Sequence, residues 1–305
     1  MKKSQRLAAV LLILLMLCGC SMPATPNTVV LPQTPAENHT ESAPASAEPA
    51  QTTPETNAFH LEYEQTALPE PLSSVTALAM LEETLLLGGV SETGLALVRL
   101  TPEGRSEELP LPGSTEYLYA LCPDGAGGAW LLCGSLPKGY FDAFGNFRFL
   151  SQEPEGKLAL AHYDAAFALQ EIVLLQTLYT DRFFQLRRLD GGFCMMSASL
   201  LVRLDETGAE TARQSLDAKD GWSFAAMQET DGVLYALTRN FYGIELPELR
   251  KFTPDTLSAL ESDVCTSEIT GLGLRADGRL LMGNSEELFA YDTGSGETET
   301  LVRWQ

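Results

Sequence analysis

From about residue 72 onward the chain alternates short apolar runs with tight polar turns, and the same unit returns five times. Each unit opens on an alternating strand, passes a turn often built on Asp-Gly, continues into a more uniformly apolar strand, and ends in two strands with polar ends. It reads VTALAMLEETLLLGGV from Val75, LYALCPDGAGGAWLLCG from Leu118, FQLRRLDGGFCMMSAS from Phe184, FAAMQETDGVLYALTRN from Phe224 and TGLGLRADGRLLMGNS from Thr270. Apolar runs that alternate or stay short between Gly, Pro and Asp predict strands, and Asp-Gly between two such runs predicts a hairpin, both residues accepting a positive φ. These turns fall at Asp124, Asp190, Asp231 and Asp277. The closing strand pairs turn at Pro102 to Gly104, Asp205 to Gly208 and Asp292 to Gly296.

Units of four strands at roughly 40 to 45 residues have the spacing of β-propeller blades. The prediction is therefore an all-β domain, a β-propeller of five four-stranded blades, with blade boundaries near residues 72, 115, 181, 221 and 267. ALVRLTPEGRSEELPL, LLVRLDETGAETARQSL and ELFAYDTGSGETETLVRW carry an acidic or polar strand end into a Thr-Gly or Glu-Gly turn. In this they resemble quinoprotein-type and NHL-type propellers. With the lead-in FHLEYEQTALPEP, the folded region is also similar to the propeller domains of lipoproteins from Gram-positive gut anaerobes. Some of these continue into an extracellular solute-binding domain, so the resemblance implies an accessory role in capturing a solute for an ABC importer. It also implies that a second domain is absent from this chain. FHLEYE is an unassigned strand, read either as packing on the edge of a closed five-bladed ring or as part of a further blade.

The first 58 residues have another pattern. Lys2, Lys3 and Arg6 precede an apolar run from Leu7 to Leu17, too short to span a bilayer. The run ends in Leu17-Cys18-Gly19-Cys20, which resembles a bacterial lipobox. Residues 1–19 are thus expected to be a lipoprotein signal peptide, with Cys20 the lipidated first residue of the mature chain. Residues 20–58, dominated by Pro, Thr, Ala, Glu and Ser, are expected to be a disordered tether. Residues 59–305 form the propeller. The expected location is the extracytoplasmic face of a cell membrane, with the N-terminal lipid as the membrane contact.

A formal net charge of -21 argues against nucleic acid and anionic lipid as partners. Cys122, Cys133, Cys194 and Cys265 sit in or beside apolar runs and read as small core fillers rather than a disulfide framework. His39, His60 and His162 are scattered, and HExxH, Gly-x-Ser-x-Gly, Walker and calcium-loop motifs are missing. On that basis the chain is expected to be a monomeric binding module with no cofactor, no metal and no enzymatic activity. An envelope assembly scaffold and a glycan-active propeller enzyme remain as alternatives.

Blade geometry supplies the candidate site. Turns between first and second strands leave one face, while second-to-third connections and inter-blade loops leave the other. On that second face the long connection from Pro137 to Glu155 carries Tyr140, Phe141, Phe144, Phe147 and Phe149, and the fourth blade adds Phe241 and Tyr242. Asp181, Asp220 and Trp222 lie in or beside inter-blade loops of the same face. Long loops that persist in compact domains are usually functional. Aromatic rings framed by carboxylates grip sugars or peptides by stacking and by accepting hydrogen bonds or cations. The candidate ligand site is thus Tyr140, Phe141, Phe144, Phe147, Asp181, Asp220, Trp222, Phe241 and Tyr242. The competing reading makes these rings a satellite core that fastens their own loops.

Overall fold

The computed structural model describes residues 68–305 except 114, 136–138, 142–146, 150–156, 180, 218–219, 241, 244, 266–267 and 304–305. For residues 139–141, 147–149 and 264 it describes the backbone alone. The expected signal, Cys20, the tether and FHLEYE lie outside the described residues.

Five four-stranded antiparallel sheets make a five-bladed β-propeller, with no α-helix among the described residues. Blade 1 contains β1 (Leu72–Leu81), β2 (Thr84–Ser91), β3 (Gly94–Leu100) and β4 (Ser106–Leu109). Blade 2 contains β5 (Tyr117–Pro123), β6 (Ala129–Gly134), β9 (Leu158–Tyr163) and β10 (Leu169–Leu174). Between β6 and β9 stands a separate two-stranded sheet, β7 (Gly139–Phe141) and β8 (Phe147–Phe149). Blade 3 follows with β11 (Gln185–Leu189), β12 (Gly192–Met196), β13 (Leu200–Asp205) and β14 (Glu210–Ser215). Blade 4 has β15 (Trp222–Thr230), β16 (Val233–Asn240), β17 (Glu248–Phe252) and β18 (Asp263–Val264). Blade 5 has β19 (Gly271–Leu274), β20 (Leu280–Gly283), β21 (Glu287–Tyr291) and β22 (Thr298–Arg303). The expected blade boundaries fall within a few residues of these first strands.

The second strand of a blade is apolar on both sides because both sides face a neighbouring blade. All five residues of β12, Gly-Phe-Cys-Met-Met, are buried. Fourth strands alternate instead, as in β14, because they lie at the rim. Cys122, Cys133, Cys194 and Cys265 are free and buried, in the manner of core fillers. Cys122 pairs with Trp130 across the hairpin, so no bridge to Cys133 forms.

The turns differ from expectation in one respect. Only Asp231-Gly232 places both residues at positive φ, 52° and 71°. At the other three Asp-Gly pairs glycine alone does so, and at Asp124 and Asp277 the loop is longer and the aspartate side chain accepts from its amides. Asp124 Oδ1, for example, accepts from the amides of Ala126 (2.7 Å) and Gly128 (2.8 Å).

The core is a set of seams. Blades 1 and 2 share one apolar cluster, blades 2 and 3 a second, 3 and 4 a third, and 4 and 5 a fourth. Hydrogen bonds cross the same seams, from Thr76 Oγ1 to the Leu118 carbonyl (2.8 Å), the Gln176 amide to the Gly208 carbonyl (3.2 Å), the Met227 amide to Gln185 Oε1 (2.6 Å) and Thr230 Oγ1 to the Gly278 carbonyl (3.0 Å). The fifth cluster, around Leu72, Leu87, Ala96 and Val98, belongs to blade 1 by itself. Among the described residues no shared apolar cluster joins blade 5 to blade 1.

Candidate functional site

Asp220, Trp222 and Tyr242 meet around Gly221, at the entrance to blade 4. Gly221 has a φ of +75°, a conformation that costs a side-chain-bearing residue and is open to glycine. Its bare α-carbon lets the Tyr242 ring lie directly upon it; a Cβ there would stand 2.4 Å from Tyr242 Cδ2. Asn240 fixes the approach: Oδ1 accepts from the Tyr242 amide at 3.0 Å, and Nδ2 reaches the Asp220 carbonyl at 3.5 Å. Tyr242 is 64% exposed, and Asp220 is exposed beside it.

Trp222 begins β15 and is half-buried, with the Arg250 guanidinium 5.7 Å from its ring centre. Glu248 and Arg250 lie two residues apart on β17, hence on one side of it, and pair at 3.0 Å. Arg250 also lines a cavity of about 160 Å³ in the seam between blades 3 and 4. Phe224 and Phe252 give this cavity apolar walls, while Gln214, Ser215 and Ser262 add polar groups. Neither Arg250, Glu248 nor Gly221 was singled out in the sequence. The charges of Glu248-Leu249-Arg250-Lys251 on the third strand were the available signal, but charges near the end of a blade usually face water.

Asp181 stands apart from this group. Its Oδ1 accepts from Ser199 Oγ at 2.6 Å and Ser197 Oγ at 3.2 Å, tying the inter-blade loop to the turn between β12 and β13. Its loop also presents Tyr179, whose hydroxyl donates to Glu210 Oε2 at 2.7 Å. Arg213 grips Glu210 through Nε and Nη2, both at 2.8 Å, and this pair outweighs burial to hold the Glu210 carboxyl below the usual range.

Tyr140 and Phe141 fall on β7 and Phe147 on β8, with Phe141 opposite Phe147 and Tyr140 opposite Arg148. This hairpin rises from blade 2, and blade 3 separates it in chain order from the Gly221 group. Phe144 and Phe241 lie outside the described residues. Of the four expected ligand residues whose side chains are described, Asp181, Asp220, Trp222 and Tyr242, the structure gathers the last three in one place.

A second group occupies the opposite, Asp-Gly face of blade 2. His162 Nε2 lies 2.9 Å from Asp124 Oδ2, and its ring stacks on Trp130 with centres 4.5 Å apart. Burial acts to raise the Asp124 carboxyl, yet His162 and the amides of Ala126 and Gly128 together hold it below its ordinary value. No group of three or more His, Cys, Asp or Glu side chains among the described residues is placed to hold a metal ion.

No protein-family model matches the chain, and no curated protein matches it. Among solved structures, a protein from Lactobacillus plantarum is 14% identical, with 75% of this chain and 85% of that chain covered and a TM-score of 0.44. A candidate 6-phosphogluconolactonase from Bacteroides fragilis is 13% identical, with 76% and 68% covered and a TM-score of 0.49. Virginiamycin B lyase from Staphylococcus aureus is 10% identical, with 75% and 84% covered and a TM-score of 0.42. At such identities the likeness concerns the fold alone. These neighbours nevertheless correct the expectation of a chain without enzymatic activity. Two of them carry the names of enzymes, and a fold by itself does not exclude catalysis.

Proposed function

We propose that this chain is a lipid-anchored, extracytoplasmic propeller that binds a sugar or peptide on the loop face of blade 4. The observation that carries the reading is the exposed Tyr242 ring seated on Gly221 beside the Asp220 carboxylate. An exposed tyrosine ring can stack on a sugar or an apolar side chain, while the carboxylate accepts from hydroxyls or an ammonium group. The acidic balance of the chain favours neutral or cationic ligands over anionic ones at this face.

Anchoring through Cys20 and a role beside an ABC importer belong to the same proposal. They rest on the Leu17-Cys18-Gly19-Cys20 motif and on the resemblance drawn from the repeat pattern. The deciding experiment is retention of the purified chain on a glycan and peptide array. Tyr242→Ala and Asp220→Ala are expected to lose retention while melting stays within about 2 °C of wild type, as for exposed substitutions. Retention unchanged in both variants would refute the blade 4 face as the site. Cys20→Ser should remove the protein from the membrane fraction and abolish metabolic labelling with a fatty acid.

A further inference from the structure

Among the described residues, every arginine withdrawn from solvent has at least one guanidinium nitrogen with a partner, except Arg187. Arg99 reaches Glu107 at 3.4 Å, Arg188 reaches Glu206 at 2.7 Å and Arg250 reaches Glu248 at 3.0 Å. Arg275 and Arg279 converge on Glu299 at 3.1 and 2.7 Å. Arg203, the most buried, donates to the carbonyls of Phe193, Leu204 and Asp190. Arg187 is half-buried: its Nε, like those of Arg99 and Arg203, is sealed from water without a hydrogen-bond partner, but here no described carboxylate or carbonyl engages the terminal nitrogens either, which are not sealed.

The position of Arg187 in the fold gives this meaning. Arg187 is the middle residue of β11, the first strand of blade 3. Gln185, two residues earlier and on the same side of the strand, is held by the amide of Met227 on β15 of blade 4. On the other flank, Cys122 of β5 feels the Arg187 charge: burial pushes that thiol up and the guanidinium pulls against it. Arg187 therefore lies among the first strands of blades 2, 3 and 4, the innermost ring of the fold. Asp124, the other charged group acting on Cys122 besides Arg187 and Arg188, is already committed to His162 and to its own turn.

A guanidinium does not give up its proton, so burial cannot neutralise it in the way it neutralises a lysine. A guanidinium partly withdrawn from water and without a protein acceptor, its Nε sealed and its terminal nitrogens still open, is placed to take up an acceptor from outside. The fork of a guanidinium fits two oxygens at once, which matches carboxylate and phosphate groups. We propose that Arg187 holds a small oxyanion, the carboxylate or phosphate group of a ligand, among the inner strands of blades 2 to 4. A monoanion is favoured over a dianion by the negative charge of the whole chain. This site is separate from the blade 4 face, and the two readings stand or fall independently.

The test is thermal melting of the purified full chain in chloride, acetate or inorganic phosphate at matched ionic strength. Wild type should gain about 3 °C in a saturating oxyanion, the size of shift that modest binding gives a domain of this length. Arg187→Met should show no such gain and should melt in chloride at or above wild type, because a charge without a partner has been replaced by an apolar side chain. Phosphate also stabilises proteins generally by exclusion from their surface, so the quantity read is the difference between wild type and variant. A response to acetate alone assigns a carboxylate, and a response to both assigns any oxyanion. Should Arg187→Met fail to fold, Arg187→Lys takes its place and should give a weaker gain than wild type. A wild type indifferent to both oxyanions, or a variant that gains as much as wild type, would overturn the proposal.

Discussion

The Tyr242 ring rests on the α-carbon of Gly221, close enough that a single methyl group there would stand 2.4 Å from the ring edge. Gly221→Ala is expected to act twice. The φ of +75° should cost about 1 kcal/mol in an alanine, lowering melting by a few degrees. The displaced ring should also lose array retention, as Tyr242→Ala does without the melting change. Equal melting losses in both variants would favour the satellite-core reading of these aromatics.

Asp124 sets a pH dependence on the opposite face. The Asp124 carboxyl is depressed in the folded chain, so its contribution is present above the unfolded pKa and disappears as pH falls through the folded one. Asp124→Ala strips acceptors from His162, Ala126 and Gly128 and should cost about 1 to 3 kcal/mol near neutrality. The gap in melting temperature between the two proteins should narrow below about pH 4. A gap independent of pH down to acid unfolding would contradict this account.

The four described cysteines should be chemically silent while the protein is folded. Burial pushes the thiols of Cys133 and Cys265 up to about 11 and those of Cys122 and Cys194 up to about 12, leaving almost no thiolate at pH 8. Maleimide should label all four in guanidinium chloride and none in native buffer. Rapid native labelling of any one would place it in a part of the fold that opens readily.

Among the described residues blade 5 shares an apolar cluster only with blade 4, whereas blade 3 is cored on both sides. Hydrogen exchange should therefore be fastest along β19 to β22 and slowest along β12 and β16, since local opening follows buried apolar contact. Uniform protection around the ring would mean that the seam between blades 5 and 1 is as strong as the rest.

Much of this architecture was legible before any coordinates. Alternation along β1, continuous apolarity along β12, and Gly beside Asp at the turns are signals carried within a few residues, because strand pleat and turn dihedrals are local. The turn at Asp231-Gly232 follows its sequence directly, while Asp124 uses its side chain where the backbone was expected to bend. At the candidate site the sequence grouped Asp181 with Asp220, Trp222 and Tyr242. Asp181 is instead consumed by Ser197 and Ser199.

The sequence by itself determined five blades and the two kinds of loop face, since each blade is built from neighbours along the chain. Only the tertiary structure decided which loops meet, that Tyr242 finds Gly221, and that among the described residues Arg187 finds no acceptor and blades 5 and 1 share no apolar cluster. Those outcomes depend on how separate sheets stack across seams, where partners lie dozens of residues apart and no local pattern records the distance between them.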